Sequence, residues 1–353
     1  MKIKLAILEK DQNYLNRIVS VFSTKYTDKF EIYSFTDKDV ALSVLDGARI
    51  DVLVANDVFE IDVNALPKRC GFAYFVDVAD IAMENDQRAI CKFQKVELIY
   101  KQILSVYSEK AGSISGLNLG DDSAKILVFT SPSGGTGSST MAAASAMHFA
   151  AQGKKTLYLN LERFGSSDVF FVAEGQFDMS DIVFALKSKK ANLGLKLESC
   201  VKQDKTGVCF YSQTKVPMDM LELNIEDIER LISEVRLTGS YDYIILDMDF
   251  GMDKDSLQLW RQAHGVVWTG DGSETSNTKI YRAFQSLTIM EQNADLPLTS
   301  RISLIYNKFS NKTGKALEES GLKNVGGAPR FEHATTEQVL KQLSPKDMFD
   351  KLI

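Results

Sequence analysis

Apolar runs and helical stripes alternate along almost the whole chain, with one interruption. In the first hundred residues the runs Lys4–Glu9, Phe30–Phe35, Asp51–Ala55, Phe72–Val76 and Ala89–Phe93 predict strands. Between and after them, apolar residues recur at helical spacing: Leu15, Ile18, Val19 and Phe22; Val40, Ala41, Val44 and Leu45, stopping at Gly47; and Val96, Ile99, Ile103 and Val106. Interleaving of this kind predicts a parallel sheet covered on both faces. The stretch 109–123, EKAGSISGLNLGDDS, carries no stripe and is rich in Gly, Ser and Asp, so it predicts a flexible linker. Beyond it the strands are continuous apolar runs at Ile126–Phe129, Thr156–Leu159, Tyr243–Leu246, Val266–Trp268 and Ile302–Tyr306, the pattern of a buried parallel sheet. A further strand is predicted at Gly207–Tyr211, and helices at Met141–Ala151 ending at Gly153, at Met179–Lys187, and at Ile225–Val235 capped by Asn224. The fold class is therefore α/β: two doubly wound domains, 1–108 and 124–353, joined by 109–123.

The first strand of the second domain runs into a glycine loop, ILVFTSPSGGTGSST at 126–140. Gly134, Gly135 and Gly137 lack a Cβ, so the backbone can curl around a phosphate with its N–H groups pointing inward. A helix starting near Ser138 adds unpaired N–H groups and a positive end. The run Ser133, Gly134, Gly135, Thr136, Gly137, Ser138, Ser139, Thr140 resembles the phosphate-binding loop of the MinD/ParA ATPases. That family places one lysine before the paired glycines and a second before the hydroxyl pair; here those positions hold Ser133 and Ser138. A lysine about 4 Å from a phosphate is worth roughly 4 kcal/mol at an effective dielectric near 20, before desolvation. The resemblance implies ATP and Mg2+ as ligands, with these eight residues holding the nucleotide and Ser139 also on the metal. The missing charge implies at most a weak ATPase.

Four further segments follow in the order that family uses. YLNLERFGSSDVFF (158–171) resembles the switch segment of the CpaE/TadZ branch, with Asn160 and Glu162 replacing two aspartates and Glu162 the candidate catalytic residue. YDYIILDMDFG (241–251) resembles a Walker B strand, which implies that Asp247 holds magnesium. ISLIYNKF (302–309) resembles the strand whose terminal asparagine contacts adenine, putting Asn307 on the base; Lys308 beside it reads as solvated surface. GGAPRFEHA (326–334) resembles a loop that wraps the base, with Pro329 and Arg330 as candidates.

The element order of the first domain resembles a response-regulator receiver, a flavodoxin-like fold. Glu9 and Asp11 stand for its acidic set and Lys92 for its lysine, but the acceptor position falls on Asn56, whose amide is no nucleophile for a phosphoryl group. Asp57 is adjacent, and one residue along a strand points the other way. A docking or dimerisation platform without phosphoryl chemistry is expected. A degenerate receiver joined to a MinD-like domain is similar to the CpaE/TadZ proteins of tight-adherence (Flp) pilus assembly.

Composition limits the alternatives. With 44% hydrophobic and 25% charged residues the chain reads as an ordinary soluble protein, and a net charge of −6 gives no basic field for nucleic acid. No segment is apolar enough to span a bilayer, and the amino end shows no signal sequence, so a cytoplasmic location is expected. Cys70, Cys91, Cys200 and Cys209 lie too scattered for a metal cluster, and His148, His264 and His333 form no hydrolase motif. The carboxyl end, EQVLKQLSPKDMFDKLI, carries balanced charge, which predicts a helix on the core, with any membrane contact peripheral or indirect. The resemblance implies a homodimer that binds ATP and positions pilus secretion machinery, with recruitment to the inner membrane or a cell pole. The alternatives are a slow ATPase that cycles for spatial positioning and a phosphorylation-controlled response regulator.

Overall fold

The computed structural model describes residues 2–78, 81, 83–110, 124–189, 192–238, 240–294, 297–317 and 321–352. These form two compact units, one of residues up to Lys110 with Phe184–Cys200, the other of the residues from Ala124 on without that segment.

The first unit runs β1 (Ile3–Leu8), α1 (Gln12–Lys25), β2 (Phe30–Phe35), α2 (Lys38–Val44), β3 (Val52–Asn56), β4 (Gly71–Val76), β5 (Met83–Glu84), β6 (Gln87–Cys91) and α3 (Val96–Lys110). Its sheet has the order β2-β1-β3-β4-β6-β5, parallel except for the short edge strand β5. Strand alternation sorts the residues to two faces. Leu5, Ile7, Val52 and Val54 join α1 and α3 in one core, while Ala6, Leu8, Leu53 and Ala55 join α2 in the other. The order reverses between β1 and β3, so Glu9 and Asn56, at their carboxyl ends, lie at the switch point of the sheet. Helix α3 continues through Glu109 and Lys110, two residues into the predicted linker, with Arg88 paired to Glu109. The remaining predicted linker residues, 111–123, lie outside the described residues.

The segment Phe184–Cys200 contributes a helix, Leu193–Cys200, that packs on α3. Leu195 enters the same core as Leu5, and the Tyr100 hydroxyl donates to Glu198 at 2.6 Å. Lys29 pairs with Glu198 at 3.2 Å, and the Lys196 ammonium donates to Ser105 Oγ at 3.2 Å.

The second unit opens with β7 (Lys125–Thr130), α4 (Ser138–Ala151), β8 (Thr156–Asn160), α5 (Ser167–Phe170) and the start of α6 (Met179–Lys187), whose residues from Phe184 on are grouped with the first unit. The chain passes through the helix already described, α7, and returns as β9 (Lys202–Gln203), β10 (Cys209–Phe210), α8 (Ile225–Leu237), β11 (Tyr243–Asp247) and α9 (Lys254–Gln262). It ends with β12 (Gly265–Gly270), α10 (Glu274–Ala294), β13 (Ile302–Phe309), β14 (Lys323–Pro329) and α11 (Thr336–Leu343). The sheet order is β14-β13-β12-β7-β11-β8-β10-β9, parallel except for β9 against β10. The predicted strand at 207–211 is thus reduced to Cys209–Phe210.

Strand β14 departs from the predicted loop at 326–334, because Gly326 to Pro329 belong to it. A run with two glycines and a proline has little strand propensity. It pairs here because Gly327 admits close approach: a Cβ would come within 2.6 Å of the Tyr306 carbonyl. At the carboxyl end, α11 has a reciprocal cap between Thr335 and Gln338, and Leu340 and Leu343 are buried against the core that contains α4. That accords with the expected core-packed helix. Among the described residues no helix is long and apolar enough to cross a membrane.

Candidate functional site

Strands β7, β11, β8 and β13 bring the candidates together at their carboxyl ends, where parallel sheets hold ligands. The glycine loop leaves β7 and enters α4 at Ser138, the predicted start. Gly135 and Gly137 are left-handed, with φ of 81° and 83°, a conformation that glycine adopts without strain. Gly137 must also be bare, since a Cβ would lie 2.5 Å from the Asn307 amide nitrogen.

Ser131, a residue not singled out in the sequence, organises the loop. Its hydroxyl donates to the carbonyls of Ser133 (2.8 Å) and Thr269 (2.5 Å) and accepts from the Ser133 N–H (3.1 Å) and the Thr136 hydroxyl (3.0 Å). One proton serves both carbonyls, so these two contacts share it. Thr136 is buried; Gly134 and Gly135 face solvent; Ser133 is buried and uncharged where the family has a lysine. The Ser138 hydroxyl oxygen is buried and, among the described residues, has no hydrogen-bond partner. Thr140 lies in the first turn of α4 beside Gly137.

Across from the loop, β8 and β11 place Asn160 opposite Asp247 in register. Asp247 is fully buried. Its Oδ2 accepts from the Tyr158 hydroxyl (2.6 Å) and from the Asn160 amide (3.1 Å), whereas Oδ1 has no hydrogen-bond partner among the described residues. Burial, reinforced by the negative charge of Glu162, pushes its carboxyl up to about 8. Burial likewise raises the Tyr158 phenol well above its ordinary range, with the Asp247 charge adding to it. Glu162 accepts from Ser139 Oγ (3.1 Å) and from the Asn160 amide (2.9 Å). Asn160 therefore stands between two carboxylates and donates to both. An aspartate there would add a third negative group.

Gly165 has a steric reason to be bare, because a Cβ there would come within 2.7 Å of Asn160 Oδ1. A small cleft opens beside Glu162, bordered by Asn160, Gly165, Ser167 and Gln213, and gives that carboxylate a route to water. Asp249, in the turn after β11, accepts from the Arg163 N–H at 3.1 Å.

The base-side candidates are placed differently. Asn307 is buried and its amide donates to the Thr136 carbonyl at 2.9 Å, so it holds the loop. Pro329 ends β14, and Arg330 follows it exposed and 3.6 Å from Glu332. Tyr158 escaped sequence reasoning, although it shares a strand face with Asn160 two residues on.

The receiver-like set also converges. Glu9 is 1% exposed and accepts from the Asp11 N–H (2.9 Å) and the Asn56 amide (3.2 Å); Lys92 Nζ lies 3.5 Å from it and 2.7 Å from Asp77. The Asp11 carboxylate is turned aside to cap α1 through the Asn13 and Tyr14 N–H groups. Asn56 is buried and its Oδ1 accepts from the Val58 N–H at 3.2 Å.

Do these residues suit a magnesium nucleotide? Ser139, Asp247 and Glu162 supply hard oxygens, one of them unpartnered and buried, and the left-handed glycines form a backbone cradle. The donor set fits. Among the described residues no group of three His, Cys, Asp or Glu side chains could hold a metal, so any ion here would draw on the hydroxyl as well.

Residues 1–108 match the protein family described as TadZ-like, receiver domain. No curated protein sequence matches the chain. A ParA family ATPase from Chlorobium tepidum superposes with a TM-score of 0.52 at 20% identity, covering 66% of this chain and 98% of that one. The septum site-determining protein MinD complexed with Mg-ADP from Pyrococcus horikoshii has a TM-score of 0.49 at 16% identity, covering 65% of this chain and 92% of that one. The chain thus carries a TadZ-like receiver domain together with a domain of the ParA-type fold, a combination consistent with a CpaE/TadZ-like protein.

Proposed function

We propose that this chain is an ATP- and magnesium-binding localisation and assembly factor for a pilus secretion machine, with hydrolysis weak or absent. One observation carries the reading: a left-handed glycine loop lies beside a buried aspartate with an oxygen unpartnered among the described residues, while both lysine positions are serine. The backbone N–H groups from Gly134 to Thr140 would take the phosphates, and Ser139 and Asp247 would hold magnesium. Bound magnesium would supply the positive charge that a polyphosphate needs. Tyr158 and Asn160 hold Asp247 by one oxygen and leave the other for the metal side. Glu162 is the residue able to orient water.

Phosphoryl transfer depends most on charge that tracks the transition state, and Ser133 and Ser138 supply none. Binding rests more on backbone N–H groups and the metal, so it survives better than turnover. Homodimerisation belongs to the same reading; Phe164, 75% exposed in the switch segment, suits a face covered by a second copy. The first domain then serves as the docking platform, because Asn56 removes the phosphoryl acceptor. A second reading, a slow ATPase that cycles between states, draws support from Glu162 lying 3.1 Å from Ser139.

Equilibrium titration with Mg-ATP and single-turnover hydrolysis test both. The proposal expects saturable binding below millimolar Mg-ATP and turnover slower than about one per minute. Faster turnover that Asp247→Ala abolishes would favour the cycling enzyme. Folded protein that shows no saturable binding would end both readings.

A further inference from the structure

The strand that carries Asn307 does not pair evenly with its neighbour. Register passes from Tyr306 opposite Gly327 to Phe309 opposite Pro329, so β13 has one residue more than β14 across this step. Such a bulge re-aims side chains, and it is uncommon between parallel strands. Lys308 sits in it with φ of 54°, a left-handed backbone that is uncommon for a residue with a Cβ.

The bulge sends two consecutive side chains to two consecutive loop carbonyls. Asn307 donates to Thr136, and the Lys308 ammonium donates to Gly135, each at 2.9 Å. The lysine stem runs along the loop, since a Cβ on Gly137 would lie 3.5 Å from Lys308 Cε. The loop itself, residues 131–140, contains no charged residue, while the facing strands bring Glu162 and Asp247. A polyphosphate entering that cradle would meet negative groups and no cation from the loop. An ammonium has three N–H donors on a flexible stem, and one of them reaches Gly135.

We propose that Lys308 supplies, from the neighbouring strand, the phosphate-binding charge that the loop has lost. The proposal rests on the nucleotide reading above and specifies the part of the ligand recognised: the β- and γ-phosphates of a nucleoside triphosphate. The Gly135 carbonyl is then the resting partner of the ammonium, and the bulge holds the exposed lysine against the loop.

Calorimetric titration of wild type, Lys308→Gln, Lys308→Arg and Lys308→Gly with Mg-ATP and with AMP, at low and high salt, tests this. Lys308→Gln should weaken Mg-ATP by roughly 10- to 100-fold and AMP by no more than about threefold, with a flatter salt dependence. Lys308→Arg should stay within about fivefold of wild type. Lys308→Gly removes both charge and left-handed strain, so its Tm should match or exceed wild type while its Mg-ATP affinity falls as in Lys308→Gln. A fall in both would mean that the residue holds the fold, and would overturn the proposal. Wild-type-like Mg-ATP affinity in Lys308→Gln would overturn it too and leave the nucleotide reading standing. So would equal losses for Mg-ATP and AMP, which would mark Lys308 as a loop spacer. Wild type that binds neither ligand would overturn the nucleotide reading itself, and this proposal with it.

Discussion

Each unit carries neutral residues where the proteins it resembles carry charged ones, and the surroundings of the two differ. In the first, a neutral amide, Asn56, stands where a receiver has its acidic acceptor. In the second, two hydroxyls, Ser133 and Ser138, stand where a phosphate loop has its lysines. Around Asn56 the remaining groups satisfy one another: Glu9 takes the amide and Lys92, and Lys92 also takes Asp77. Around the glycine loop they do not. Among the described residues the buried Asp247 Oδ1 and the buried Ser138 hydroxyl have no hydrogen-bond partner, and the Asp247 carboxyl is pushed up to about 8. Buried polar groups are normally paired, so a closed cluster reads as a retired site and an open one as a site that a ligand completes.

The largest expected effect breaks the open cluster. The Asp247 carboxyl rises from 3.8 to about 8 on folding, so between those values the native state holds a proton that the unfolded state lacks. Stability without nucleotide should accordingly fall as pH rises through that window, by at most on the order of 5 kcal/mol. Asp247→Asn should flatten this decline and be the more stable protein at pH 8, while losing the magnesium-dependent part of ATP affinity. Denaturant titrations at pH 5 and pH 8 give the comparison. A wild type equally stable at both, or an Asn variant weaker at pH 8, would contradict it.

Next in size is the closed cluster. Lys92→Met leaves Glu9 buried without its cation and should cost about 3–5 kcal/mol by denaturant titration at pH 7. A loss below about 1 kcal/mol would show that the pair is not structural. Smaller still, Asn56→Asp sets a second carboxyl against Glu9 and should cost about 1–3 kcal/mol at pH 7, less in mild acid where the pair can share a proton. The least effect expected is none at all. Wild type treated with acetyl phosphate should keep its intact mass, and a stoichiometric phosphate lost in Asp57→Ala would reopen the receiver chemistry.

Much of this was legible in the residues. The strands at 30–35, 126–129, 243–246 and 302–306 and the helix start at Ser138 follow from apolar runs and bare glycines, and Asn56 at the acceptor position follows from the receiver resemblance. The rest depends on partners that periodicity does not reveal. Lys308 reads as solvated surface until β14 pairs with β13 and creates the bulge, and β14 is hidden in a Gly-, Asn- and Pro-bearing run. Asn307, read as a base contact, also grips the loop through its amide, for which Gly137 leaves room. Tyr158 could have been found, since period two puts it on the face of Asn160 and at the apolar strand beside Asp247. Nothing local indicates that Leu193–Cys200 packs on α3; its hold comes from Leu195 and Glu198, which look like ordinary helix positions.

The central claim is that the second cluster awaits a cation that displaces the Asp247 proton. Titration with preformed Mg-ATP at pH 7, repeated in two buffers of different ionisation heat, measures this directly. The account predicts saturable binding that releases about one proton per site, with the release absent in Asp247→Asn. Binding without proton release, or release that persists in the variant, would contradict it.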